Sequence, residues 1–476
     1  MNTTSFTRTP PLTLACVGSL FILMTGCSVG PNYVRPQFTA PAIYRGADET
    51  PISSADQSSL GDQQWAQVFR EPELQDLIRV ALGNNYDMRI AAQRVLEEQA
   101  QLRITRSQQF PSVNVGATGI GADLGSSVGN GLPSGAVAAG TFNLSAAWTP
   151  DFWGLYRRQT EAERARLLGQ LWAQRAVRMT VVQQVATAYF HLRSLDDQLS
   201  IAKQTLKARQ ESVELTRTLE SGGSVPLADL RQAEELEYAA SVQMPQLEQQ
   251  TQQEENALRL LLGQNPGPVG GRTDPNALAP VPRNLPVGLP SRLLERRPDI
   301  LQAEQQLIAA NARIGVARAQ FFPQLSITAS GGVAGSDFSN IFDPDSRLIY
   351  GIGSLAQPIF QGGRLRGQLQ LSEETKKEMV LNYQKTIAGA FRDASNALIA
   401  VDKQRVAREQ QEKLVAAAED AARLARMRYQ GGATSYLEVL TTDSNLLSAQ
   451  LNLVNSREGE AQSLVQLYEA LGGGWE

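Results

Sequence analysis

From Leu155 to Thr218 the chain carries no proline and a single glycine, Gly169. Through this stretch Val181, Val185, Ala188, Leu192, Leu195, Leu199, Ala202 and Leu206 recur at alternating spacings of four and three. Two apolar positions in seven make a coiled-coil seam, because 3.5 residues per turn hold them on one face. At 1.5 Å per residue the predicted helix spans roughly 95 Å. Ser221-Gly222-Gly223-Ser224 ends it, and Val225-Pro226 opens a return helix to about Leu262. Proline is well placed in a first turn, where its missing N–H leaves no bond unmade; Pro245 predicts a kink further on. A second pair has the same form. It runs Leu365 to Tyr429, turns at Gln430-Gly431-Gly432-Ala433 and returns to about Leu471, with Leu414, Ala417, Ala421 and Leu424 on its seam. Glu73 to Gln109 is also helical in pattern and stops at Phe110-Pro111.

Elsewhere the period drops to two. Val113, Val115 and Ala117 alternate with Asn114, Gly116 and Thr118, and Phe142, Leu144, Ala146 and Trp148 with Asn143, Ser145, Ala147 and Thr149. Leu325, Ile327 and Ala329 alternate with Ser326, Thr328 and Ser330, and Leu348 to Phe360 is a fourth run with looser alternation. Such a strand meets an apolar medium on one face and a polar one on the other. The expected strands are about 111–121, 140–151, 323–334 and 348–359, the first two separated by a Gly/Ser-rich loop from Gly121 to Gly140. Phe110, Trp148, Trp153, Phe321, Phe322, Tyr350 and Phe360 gather at strand ends, as in the aromatic girdles of outer-membrane barrels. These features favour a membrane barrel over a soluble sheet. A soluble coiled-coil scaffold with incidental hairpins is the alternative that helical pattern alone leaves open.

The two halves are copies. Asp87 to Thr118 aligns with Asp299 to Ser330 at an offset of 212, matching Ala91/Ala303, Gln93/Gln305, Arg106/Arg318 and Phe110-Pro111/Phe322-Pro323. Gly222-Gly223 aligns with Gly431-Gly432, and Leu262-Gly263 with Leu471-Gly472, at an offset of 209. The period is far too long for a solenoid, so this is a duplicated domain. The expected divisions are a signal peptide at 1–26, an extended segment at 27–72, a first repeat at 73–264, a linker at 265–290 and a second repeat at 291–476. Seven prolines from Pro266 to Pro290 forbid helix in that linker.

Four membrane strands cannot close a barrel. Open edges in lipid leave backbone groups unpaired at several kcal/mol each. Two copies give eight strands, an interior that side chains fill. Three give twelve, room for a conduit, and a twelve-helix tube beneath it. The fold class expected is therefore a mixed α and β membrane protein that closes its barrel by oligomerising.

Composition narrows the chemistry. Lys+Arg 44 against Asp+Glu 48 argues against a nucleic-acid partner held by bulk positive charge. No run of 18 or more apolar residues follows the N-terminus, which excludes a polytopic helical membrane protein. With one histidine, His191, no multi-histidine metal site forms within one chain, and His191 reads as a packing or surface residue. No metal ligand set, catalytic constellation or phosphate-binding loop is found, so no enzyme and no cofactor are expected. The cysteines are Cys16 and Cys27. Arg8 precedes an apolar run from Leu12 to Met24, which reads as a signal peptide. Leu23-Met24-Thr25-Gly26-Cys27 resembles a lipobox, with Cys27 acylated and Ser28 directing the product to the outer membrane. Two or more acyl chains anchor firmly where one is marginal.

Further motifs carry a family resemblance. Cys27-Ser28-Val29-Gly30-Pro31-Asn32-Tyr33 with Arg35-Pro36, Arg296-Arg297-Pro298-Asp299-Ile300, Phe321-Phe322-Pro323 and Pro358-Ile359-Phe360-Gln361-Gly362-Gly363 together resemble outer membrane factor lipoproteins of the NodT type, which are TolC-like. The resemblance implies a TolC-like homotrimer, a twelve-stranded β-barrel with four strands per chain on a long periplasmic α-helical barrel, that serves as the exit duct of a tripartite efflux system. It would sit in outer-membrane lipid and pass small molecules, drugs or other toxic compounds, from a periplasmic membrane-fusion adaptor and an inner-membrane pump, of the RND type. It implies periplasmic tips at Gly222, Gly223, Ser224, Val225, Gly431, Gly432, Ala433 and Thr434, where the adaptor docks. It also implies an aperture near Tyr436, Leu437, Thr441 and Asp443. Thr441 stands where related ducts often carry an acid, so a hydrophobic constriction at Leu437 is expected. Asp443 differs from Thr441 in helical phase by about 200°; it either contributes to the aperture or faces solvent. Two rivals remain at this stage, a type I protein secretion duct and a lipid-anchored scaffold without a pore.

Overall fold

The computed structural model describes residues 28–41, 43–46, 59–124, 135–270, 285–335 and 343–475. The main helices and strands are α1 (Pro72–Asn84), α2 (Tyr86–Ser107), β1 (Ser112–Leu124), β2 (Gly135–Trp148), α3 (Leu155–Ser221), α4 (Leu227–Leu261), α5 (Pro298–Ala319), β3 (Gln324–Gly335), β4 (Arg347–Ala356), α6 (Arg364–Gln430) and α7 (Tyr436–Ala470). Corresponding helices are equal in length: 22 residues in α2 and α5, 67 in α3 and α6, 35 in α4 and α7. α4 runs unbroken through Pro245.

Several expectations need correction. β1 runs to Leu124 and β2 starts at Gly135, inside the expected 121–140 loop, and Leu414, Ala417, Ala421 and Leu424, expected on a seam, are exposed in this chain. Glu73 to Gln109 is two helices, divided at Asn85. Asn85 has an extended ψ of 134°, and its Oδ1 accepts from the N–H of Asp87 at 2.8 Å and Met88 at 3.1 Å. A side-chain cap thus replaces the carbonyls that a continuous helix would have used. Segment 27–72 is not extended throughout. Helical turns form at Leu60–Asp62 and Trp65–Val68, the first behind a capping box in which Asp62 Oδ2 accepts from Ser59 N at 2.7 Å. Strand β2 ends at Trp148 rather than 151, just before Thr149-Pro150, and β4 ends at Ala356 rather than 359, before Pro358.

The chain divides into two compact units. One comprises Phe38–Val95, Gln170–Gln302 and Gln384–Glu476. Its core gathers Leu74 and Ile78 of α1, Val181, Val185 and Leu192 of α3, Leu258 of α4, Ala394 of α6, and Val465, Leu467 and Tyr468 of α7. Each buried Leu, Ile or Val contributes about 1.5–3 kcal/mol relative to exposure, so the seam positions on α3 hold this unit together.

The other unit comprises Met1–Gln37, Leu96–Gly169 and Ala303–Tyr383. Here the helices meet through alanine: Ala162 and Ala165 of α3 pack on Ala309 and Ala312 of α5. The unit carries one antiparallel sheet in the order β1-β2-β3-β4. Its hairpins differ in register. Ser112 pairs with Ala147, whereas Gln324, at the offset of 212, pairs with Ala356 rather than with residue 359. The three-residue slip between the copies therefore falls in the strand hairpin.

Candidate functional site

Each pair of long helices turns on the same backbone. In the first, the N–H groups of Gly222, Gly223 and Ser224 donate to the carbonyls of Thr218, Glu220 and Leu219. In the second, those of Gly431, Gly432 and Ala433 donate to Met427, Tyr429 and Arg428. Gly223 has φ +74° and Gly432 φ +72°, the left-handed closure that favours glycine. The glycine before each is different. Its φ is not positive, and a Cβ at Gly431 would meet only the carbonyls of its own helix, at 3.5 Å and beyond. A Cβ at Gly222 would meet the equivalent carbonyls, of Thr218 and Leu219, at 3.6 and 3.7 Å, and Ser224 Oγ at 4.0 Å. The chain's own fold does not demand glycine there. Ser224 and Ala433 are exposed; Val225 and Thr434 are half-buried, and Thr434 Oγ1 bonds Glu438.

Beyond the second turn, the four aperture candidates divide between two faces of α7. Leu437 and Thr441, one turn apart, are exposed, and the Thr441 hydroxyl donates to the Leu437 carbonyl at 2.9 Å. Tyr436 points the other way. It is buried among Val213, Leu230, Ala425 and Val439, with its hydroxyl 3.0 Å from Ser212 Oγ. Asp443 does not face solvent. Its side chain is 11% exposed and takes Arg209 Nη1 at 3.1 Å on Oδ2, and Arg426 Nε and Nη2 at 3.1 and 2.8 Å on Oδ1. Arg209 is itself only 7% exposed. α7 is thus tied to both long helices through one carboxylate.

Sequence reading missed Arg209 and Arg426. The signal for Arg426 was present: at the offset of 209 it matches Arg217, and Asp443 matches Glu234, which Arg217 Nη2 meets at 3.3 Å. Arg209 has no such signal, since its equivalent is Ala418. His191 is not a bare packing residue. Its Nδ1 lies 2.8 Å from Glu458 Oε1, and that bond raises its pKa.

The sheet has two chemistries. Val113, Val115, Phe142, Leu144, Ile327, Ile349 and Leu355 share one face and are exposed. Asn114, Thr118, Asn143, Ser145, Ser326, Thr328 and Ser330 share the other, where Asn143 Nδ2 donates to Ser330 Oγ at 3.3 Å. The exception is β4, which adds Leu348, Tyr350 and Ile352 to the polar face and so blurs the alternation there.

Cys27 lies outside the described residues, but the chain just after it is held. Val29 N–H donates to the carbonyl of Trp153, whose ring stacks on Phe322 at 4.8 Å. Buried Arg158 donates to the carbonyls of Val29 and Gly30 and to Asn32 Oδ1. Asn311 Nδ2 holds the Pro31 carbonyl at 2.9 Å, and Tyr33 and Arg35 both bond Glu304. Among the described residues no helix is long and apolar enough to cross a membrane, and no cluster of metal ligands occurs.

The sequence model of the family described as Outer membrane efflux protein matches residues 77–264 and 289–473, one match per repeat. The chain is 34% identical over 456 residues to the Cation efflux system protein CusC of Escherichia coli O6:H1, covering 96% of this chain and 97% of that one. It is 35% identical over 458 residues to the Toluene efflux pump outer membrane protein TtgC of Pseudomonas putida, covering 95% and 94%. The crystal structure of the open state of the Neisseria gonorrhoeae MtrE outer membrane channel superposes with a TM-score of 0.82 at 27% identity, covering 94% of this chain and 99% of that one.

Proposed function

As the chain belongs to the outer membrane efflux protein family, we propose that three copies form one exit duct whose inner end is held shut by the Arg209–Asp443–Arg426 cluster. The chain is an outer-membrane efflux channel, extends into the periplasm, works with adaptor and pump partners and is not an enzyme. Twelve strands, four from each copy, enclose the polar face of the sheet as a conduit, and the apolar face meets lipid. The pump, of the RND type, supplies both energy and selection. Relatives of nearly equal identity carry names for cation and for toluene efflux, which supports a wall that discriminates little. Acyl chains on Cys27 add a lipid anchor to the N-terminal segment, whose described part is held from Val29 onward. The adaptor seats on the turns at 222–225 and 431–434, where Gly222 and Gly431 allow close approach.

One observation carries the aperture reading. Asp443 anchors the start of α7 inward through two guanidiniums, which leaves Leu437 and Thr441 on the outward face. Leu437 forms the apolar constriction, and opening requires α7 to part from the long helices. In planar bilayers, Arg426→Ser and Asp443→Asn should therefore raise single-channel conductance several-fold over the parent, with Glu234→Gln unchanged. Conductance equal to the parent in both variants, with particles still near three chains in mass, rejects the latch.

A further inference from the structure

Strands β1 and β4 are the edges of the sheet, and each ends in unpaired backbone. In lipid those edges must be satisfied. The occupant that the family fold supplies is a second copy of the same chain, β4 of one against β1 of the next; this inference rests on the trimeric reading above. The internal repeat fixes more than the fact of pairing. The β1–β2 hairpin corresponds to the β3–β4 hairpin, with β1 mapping to β3 at an offset of 212 and β2 to β4 at 209. The β2–β3 seam joins the end of one hairpin to the start of the next inside one chain. The seam between chains joins the same two ends.

We infer that the intersubunit seam copies the register of the β2–β3 seam, so that Ser354 of one copy lies opposite Thr118 of the next. The pair transposes Ser145↔Ser330 of the internal seam. By the same transposition Leu355 faces Ala117, Gly353 faces Gly119 and Ala356 faces Gly116.

Two features, both expressions of one parity condition, agree with this register. The first is facial. Leu355 shares the apolar face with Ile349 and Val333, and Ala117 shares it with Val113 and Val115. The proposed pairing sets apolar against apolar and Ser354 against Thr118 on the polar side. A one-residue slip would turn every side chain of the neighbour to the wrong medium. The second is closure. A path across the sheet from Gly116 passes Asn143, Gly332 and Leu348. In the proposed register it continues to Leu124 of the next copy, eight residues along β1. An even step returns each residue to its own face, so three copies close without a bulge at any seam. The surviving rivals are slips of two, which place Ser354 opposite Gly116 or Ile120.

Disulfide trapping separates these registers. Directly opposite residues bring Cβ atoms to about 4.5–5.5 Å, whereas diagonal neighbours stand about 7–8 Å apart, beyond unstrained disulfide geometry. The sequence contains cysteine only at positions 16 and 27, and a parent preparation measures that background. Ser354→Cys would be combined in turn with Thr118→Cys, Gly116→Cys and Ile120→Cys, oxidised in outer-membrane fractions and resolved on non-reducing gels. Within one chain residues 118 and 354 lie on opposite edges of the sheet, so a covalent bond between them reports two copies. The expected result is a ladder of covalent dimers and trimers from the 354/118 pair, forming at least about tenfold faster than from either neighbour. Faster trapping with Gly116 or Ile120 overturns the register and leaves the trimer intact. Slow trapping in all three, from particles of three-chain mass, overturns the edge-to-edge seam. Particles of one-chain mass overturn the trimeric reading itself.

Discussion

The two helical hairpins reach their ends on one backbone and on different electrostatics. The bonds that close 222–224 recur at 431–433, and the pair Arg217–Glu234 recurs as Arg426–Asp443. In the first hairpin the second cation on the acid is Arg231, a neighbour on the same helix and 68% exposed. In the second hairpin it is Arg209, reached from α3 and buried. A partner on the same helix decorates that helix. A partner on another helix, out of water, restrains the motion of one against the other. Duplication thus supplied two equal hairpins, and a single non-local arginine gave one of them a buried tie to another helix that the other lacks.

The sharpest way to break this comparison is to delete both acids. Asp443→Ala strands a buried guanidinium and should cost about 3 kcal/mol of stability. Glu234→Ala leaves only exposed cations and should melt with the parent, as followed by circular dichroism of the detergent-extracted particle. Equal losses would mean that the hairpins are equivalent after all. The next test acts on the turns. Gly432→Ala and Gly223→Ala force a Cβ into left-handed backbone and should each cost about 1 kcal/mol. Gly431→Ala should leave stability unchanged, because a Cβ there meets only carbonyls at 3.5 Å and beyond, and under the proposed docking it should weaken adaptor capture in pull-downs. The smallest effect concerns His191, whose equivalent in the second copy is Ala400. The Glu458 bond raises the folded pKa of His191 above its ordinary 6.5. Its contribution is therefore fully present below pH 6.5 and is lost as pH rises through the folded value. Melting temperatures from pH 5.5 to 8.5 should show a decline that His191→Gln flattens.

Much of this was legible in the chain itself. The seam of Val181 to Leu206, the alternation at Phe142 to Trp148 and the doubled Gly-Gly turns are local patterns, and local patterns survive without tertiary information. Asn85 was missed because a capping side chain interrupts a helix without disturbing its apolar period. Arg209 was missed because it meets Asp443 across 234 residues of sequence with no counterpart in the other copy. Tyr436 shows the limit of placing residues by proximity to a motif: one position before Leu437, it faces the opposite way.

Equal helix lengths in the two copies also constrain how such a gene can change. One codon inserted into α3 would turn everything beyond it by about 100° and carry the seam off its partner. Length variants that keep the seam in phase come most readily in sevens, or in threes and fours absorbed by local winding, matched between the facing helices. The strand hairpins carry no such lock, and there the two copies have already drifted apart by three residues. Descendants of this chain should differ in how far their strand loops reach, while the residue count of their helices stays frozen.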